Sequence, residues 1–196
     1  MLVSEMKTRA EKKLGGVSLD ESEVMDALNE CLKLELSDVL RLEKNTETNV
    51  TEVANEVTPG SDVLKIILVK MNKAENNDVN GYLRELTLDD MVSTGYKLFD
   101  GKVQPQGITY PDTISVWYYR YPADITDLTD TPDMPSEFHQ VLVYYLIGLY
   151  QQDDEQLGLE EDYLGKFYTM KAQIDSQRRK QVSVGRRRRV SKRAYV

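Results

Sequence analysis

The sequence predicts an α+β protein: mainly an α-helical bundle, with an inserted antiparallel β-hairpin and sheet region and an extended basic C-terminal tail. Three observations predict it. Apolar residues recur at spacings of three and four near both ends of the chain, the signature of amphipathic helices. The middle carries β-branched and aromatic runs broken by Pro-Gly and Asp-Gly pairs, which read as strands and turns. The last stretch, RRKQVSVGRRRRVSKRAYV at 178–196, holds nine Arg or Lys and no Asp or Glu.

At the N-terminus, Leu2, Met6, Ala10 and Leu14 repeat every four residues and predict a short helix over about 2–14, ended by Gly15 and Gly16. Ser18 with Glu21 forms a capping box for a second helix over about 19–44, with Val24, Leu28, Cys31, Leu32, Val39 and Leu42 as its apolar stripe. The β insertion spans about 50–121. Pro59-Gly60 marks a turn into DVLKIILVKMN, which reads as a buried strand or as helix. In YKLFDGKVQ, Asp100-Gly101 lies between apolar residues and predicts a hairpin, because a type I′ turn needs positive φ at both central positions.

DTISVWYYRYP alternates Ile114, Val116 and Tyr118 on one face with Trp117, Tyr119 and Tyr121 on the other. A strand apolar on both sides is covered on both, by this chain's helices on one and by a neighbouring subunit or more of the same chain on the other. Trp117, Tyr119, Tyr121 and the hairpin turn at Asp100 and Gly101 are therefore candidate subunit contacts. After the polar loop ADITDLTDTPDM, Pro135 suits the first position of a helix over about 135–152 that forms the centre of the core. A last helix over about 155–178 carries Leu159, Tyr163, Phe167, Met170 and Ile174 on a narrower stripe. Residues 1–177 thus form one domain and 178–196 the tail.

The formal charge of −8 blends two opposite parts. Removing the nine basic residues of the tail from the total of 25 leaves 16 positive against 33 negative side chains in residues 1–177, a charge of −17. Such asymmetry within one chain marks a tail that seeks a surface the body avoids. The tail residues Arg178, Arg179, Lys180, Arg186, Arg187, Arg188, Arg189, Lys192, Arg193 and Tyr195 are the candidate docking set. Nine like charges in so short a segment predict disorder when free and folding on a partner's carboxylates.

Catalytic chemistry finds no support. His139 is the sole histidine, which excludes a two-histidine zinc site, and it reads as a packing residue. In NNDVNGYLRELT, Asn76, Asp78, Asn80 and Gly81 copy the start of an EF-hand loop, but Thr87 stands where the bidentate Glu belongs, so the segment reads as a polar hairpin loop. Asp89 with Asp90, and Glu160 and Glu161 with Asp162, read as solvated faces or subunit contacts. Phosphate-binding and hydrolase motifs are absent from the sequence, and no catalytic residue, cofactor or metal ligand is assigned. The single Cys31 sits on an apolar stripe and reads as core in a reducing compartment. The N-terminus lacks a signal-peptide run, and no segment reaches membrane-spanning length.

From Leu2 to about residue 175 the order of these elements resembles the head-to-tail adaptor (connector) proteins of tailed bacteriophages, which assemble beneath the portal ring. The resemblance rests on LGG closing the first helix, LDESEVMDALNECL opening the second, the Pro-Gly turn, the YKLFDGKVQ hairpin, the ISVWYYRYP strand and the Pro before Glu137, Phe138 and His139. It implies a non-enzymatic virion protein of the head-tail neck, assembled in the host cytoplasm into a dodecameric ring. Its partners would be portal, neighbouring subunits, tail or neck proteins and DNA passing through without sequence-specific binding. A ring of −17 bodies presents an anionic lumen that repels DNA. The alternative reading is a nucleic-acid-binding protein that uses the arginine tail on an acidic oligomerisation domain.

Overall fold

The computed structural model describes residues 1–78, 81–87, 94–153 and 157–191, with the backbone alone at 152–153, 157–161 and 180–191. Helix and sheet segregate along the chain, as an α+β class requires, into two compact units: Met1–Arg41 with Pro122–Val196, and Leu42–Tyr121.

In the helical unit, α1 spans Val3–Lys13 and buries Val3, Met6 and Ala10. The buried stripe runs through Val3, while Leu2 is 39% exposed, so the expected spacing of four gives way to three and four. Helix α2 (Glu21–Glu30) is capped by Asp20, whose carboxylate accepts from the Ser22 and Glu23 amides at 2.8 and 3.2 Å. Asp20 replaces the expected Ser18 because the helix begins at Glu21, which leaves Ser18 too far from the free amides of the first turn.

A π-helical stretch, Cys31–Leu36, continues α2 and turns Cys31, Leu32 and Leu36 into the core. Burial pushes the Cys31 thiol well above its ordinary range, with Glu35 adding to the shift. The short α3 (Ser37–Leu40) ends at Arg41, which adopts a left-handed conformation with φ of 49°. The second helix thus stops at Leu40 rather than about 44, and Leu42 opens a strand instead.

Pro135 precedes a 3₁₀ turn, Ser136–Phe138, and α4 (His139–Asp153) starts only at His139, one turn later than Pro135 suggests. Helix α4 buries Val141, Leu142, Val143, Leu146 and Ile147, apolar most of the way around, so it lies at the centre of this unit. It packs against α1 and against α5 (Leu157–Ser191), which buries Phe167 and Ile174. Helix α5 is held by Arg41 to Asp175 at 3.0 Å and Lys171 to Glu35 at 2.6 Å, both partly buried pairs.

The β unit holds two antiparallel sheets. Strands β1 (Leu42–Val50), β5 (Asp112–Arg120) and β2 (Val63–Met71) form one, in the order β1-β5-β2; β3 (Gly95–Phe99) and β4 (Lys102–Gln106) form the other. The competing readings of DVLKIILVKMN thus resolve to strand. Strand β1 is a correction to the expected helix end: Thr46, Thr48 and Val50 alternate inward against the exposed Glu43, Asn45, Glu47 and Asn49. The core of the unit gathers Val50, Val57, Val69, Met71, Leu83, Tyr96, Val103, Ile114, Val116 and Tyr118. Within it, the Tyr118 hydroxyl donates to the Pro59 carbonyl at 2.9 Å.

A candidate assembly surface

The residues expected at a subunit contact fall on two separate features of the β unit. Asp100 and Gly101 form the two-residue turn of the β3–β4 hairpin, with φ of 48° and 72°, as a type I′ turn demands. The hairpin is fixed at its flank by a mutual amide–carbonyl pair between Val57 and Val103, and by Glu56, which accepts from Lys102 and Gln104 at 2.7 Å each. Those two bonds, Lys102 first, hold the Glu56 carboxyl below its usual range. The tip lifts Leu98 and Phe99 into solvent, 45% and 68% exposed. Sequence reasoning named the turn and missed these two apolar side chains, although they stand directly before it.

The second feature is the outer face of the three-stranded sheet. Ile114, Val116 and Tyr118 on β5 are fully buried, whereas Trp117 and Tyr119 on its other face are only half-buried. This corrects the expectation that helices of this chain cover one side of the strand. The covered side is packed by strands and loops of the β unit itself, and the other side lies partly open. Tyr121 follows the strand, its amide donating to the Asp62 carbonyl at 2.8 Å, and is 38% exposed.

Cross-strand register places Trp117 between Asn45 of β1 and Leu68 of β2. Tyr119 stands between Glu43 and Lys65, and Ser115 between Glu47 and Lys70. Residues directly opposite one another on neighbouring strands share a face. The outer face therefore carries an acidic row on β1, an aromatic centre on β5 and a basic row on β2. The Glu47 carboxylate accepts from the Ser115 hydroxyl at 3.1 Å.

The basic segment takes a form that the charge run did not suggest. Arg178, Arg179, Lys180, Arg186, Arg187, Arg188 and Arg189 all lie within α5, whose backbone stays helical to Ser191, whereas the expected helix ends near 178. Arg, Lys and Gln are strong helix formers, and a preceding helix removes the cost of nucleation, so repulsion alone does not end the turn. Arg179 donates to Asp175 at 2.7 Å, one turn back, which gives Asp175 an arginine on each oxygen. Lys192, Arg193 and Tyr195 lie outside the described residues.

The groups weighed for chemistry are engaged in holding the fold. His139 is buried, its Nε2 on the Met134 carbonyl at 3.1 Å and its Nδ1 on the Met1 amine at 3.0 Å. Burial, partly offset by the Met134 bond, moves its pKa below the ordinary 6.5. Asn76 spends its side chain on the Thr109 amide and carbonyl and on Asp112, so the EF-hand-like segment is stitched to the strand behind it. Asn80 lies outside the described residues, as do Asp89 and Asp90. Among the described residues no group of three or more His, Cys, Asp or Glu could hold a metal ion, and no helix is long and apolar enough to cross a membrane.

A search of curated proteins finds no match to the chain. The model of the SU10 adaptor protein family matches residues 1–191, nearly the entire sequence. That agrees with the resemblance read from the order of elements, and the chain belongs to the SU10 adaptor protein family, a phage structural adaptor of the head-tail kind.

Proposed function

We propose that this adaptor assembles as a ring beneath the portal of the phage head and joins it to the tail, leaving a passage for DNA. The observation that carries the reading is the family match across residues 1–191. The division of charge supports the finer parts: a body of −17 suits a wall along which DNA slides rather than sticks, and the nine cations of residues 178–196 suit an acidic protein surface. Residues 178–196 dock on portal or on the neighbouring subunit, while the body stays largely monomeric until portal templates the ring. The role is structural, without catalysis.

A second reading has its own observation, the arginine run itself, which fits direct contact with DNA phosphates. Truncation after Gln177 separates the two. Under the docking reading the truncated chain keeps its fold and loses attachment to the portal protein of the same phage, with DNA affinity little changed. Duplex DNA binding with a log-log salt slope near roughly −8, lost on truncation while portal attachment persists, would establish the DNA reading instead.

A further inference from the structure

The outer face of the β1-β5-β2 sheet has a charge order that a single copy of the chain leaves unused. Two lines cross it, Glu43–Tyr119–Lys65 and Glu47–Ser115–Lys70, each acid on one edge strand and base on the other. Within one chain the two edge strands are separated by β5, about 10 Å at the usual strand spacing. Among the described residues no ion pair engages Glu43, Glu47, Lys65 or Lys70, although all four are exposed.

The basic row depends on an irregularity in β2. Positions 65 and 70 are an odd number of residues apart, so a regular strand would send the two lysines to opposite faces. A register shift between Ile66 and Leu68 inserts one residue and returns both to the outer face, opposite Tyr119 and Ser115. Those same two residues of β5 also set the spacing of Glu43 and Glu47 on β1. The acidic and basic rows therefore have the same length and the same register, each a template for the other.

The geometry points to a second copy of this chain as the occupant: Glu43 and Glu47 on β1 of one copy pair with Lys65 and Lys70 on β2 of the next. The contact is carried by side chains, because the Leu83 amide already takes the Val69 carbonyl on the outer edge of β2. One copy's acidic row meets the next copy's basic row, leaving a free row at each end. That is a heterologous, head-to-tail contact, which propagates until rotation closes it into a ring. This assignment deepens the ring of the proposed function by naming its seam, and it rests on that reading only for closure.

The test uses full-length chain, half of it isotopically heavy, treated with a carbodiimide that joins carboxylates to amines in contact, alone at high concentration and again with portal protein. The expected result is heavy-light peptides linking Glu43 or Glu47 to Lys65 or Lys70, in products larger than two copies. The double variant Glu43→Lys with Glu47→Lys should lose these products at least tenfold, as should Lys65→Glu with Lys70→Glu, and an equal mixture of the two should regain them. Absence of heavy-light links between these strands, products that stop at two copies, or a mixture that stays dispersed would each overturn the assignment. The wild-type crosslinks keep the test decisive should a variant misfold. Recruitment of the charge-reversed chains into a ring by portal would sink this seam and leave the ring standing; linked rows in a chain that portal ignores would do the opposite.

Discussion

Gly148 on α4 leaves the space that Leu164 on α5 fills: a Cβ at 148 would stand 2.6 Å from Leu164 Cδ2 and 2.8 Å from its Cγ. The two helices approach closely because position 148 has no side chain. Gly148→Ala should force Leu164 out of its rotamer and destabilise the helical unit by about 1–3 kcal/mol, despite alanine's better helix propensity. Thermal unfolding followed by circular dichroism at 222 nm checks it; a rise in the melting temperature would show that Leu164 yields without strain.

Asp112 is a second position where one side chain holds several others. Its carboxylate accepts from the Lys73 amide at 3.0 and 3.1 Å, the Asn76 side chain at 2.8 Å and the Thr113 amide at 2.7 Å. Asp112→Ala strands these donors in a nearly closed site and should cost about 2–3 kcal/mol. Urea titration of the wild type and both variants should place Asp112→Asn, which keeps one acceptor oxygen, between the other two.

The sole histidine is one source of pH dependence near neutrality. His139 has a folded pKa below its unfolded value near 6.5, so the unfolded state binds the proton more readily. Stability is fully present above about pH 6.5 and falls as pH drops from there through the lowered folded value. Urea midpoints at pH 7.5, 6.5 and 5.5 should decline for the wild type. They should decline less for His139→Gln, although that variant starts lower; parallel declines would clear His139 of the effect.

Trp117 is the only tryptophan and stands half-buried on the open face of the sheet, which makes it a built-in reporter. Assembly that covers this face should shift its emission to shorter wavelength. Trp117→Ala should leave the circular dichroism spectrum of the monomer intact and weaken recruitment by portal severalfold. A variant that fails to fold would mark the residue as ordinary core.

The sequence foretold the helices best where burial is one-sided, as along Met6 and Ala10 or Phe167 and Ile174, because the stripe and the period then coincide. Strand β1 was hidden for a local reason. Leu42 extends the stripe of Val39 by three residues and so reads as helix, while the outward residues Glu43, Asn45, Glu47 and Asn49 have weak strand preference. Pairing with β5 overrides that preference. The aromatic row was legible from plain alternation in β5, and the basic row was not, because the bulge in β2 breaks the rule by which alternation is read.

Leu42, the first residue of β1, lies directly across the ladder from Arg120, the last of β5. The polypeptide consequently enters and leaves the whole β unit through neighbouring positions, with Cα atoms only about 5 Å apart. Such a unit has one doorway. Splicing Arg41 to Pro122 through two or three small residues would ask almost nothing of the chain's reach, and the excised segment would keep both its ends in a native pair. A phage lineage could exchange this cassette as a single genetic insertion, retaining the helices on either side while acquiring a new outer face.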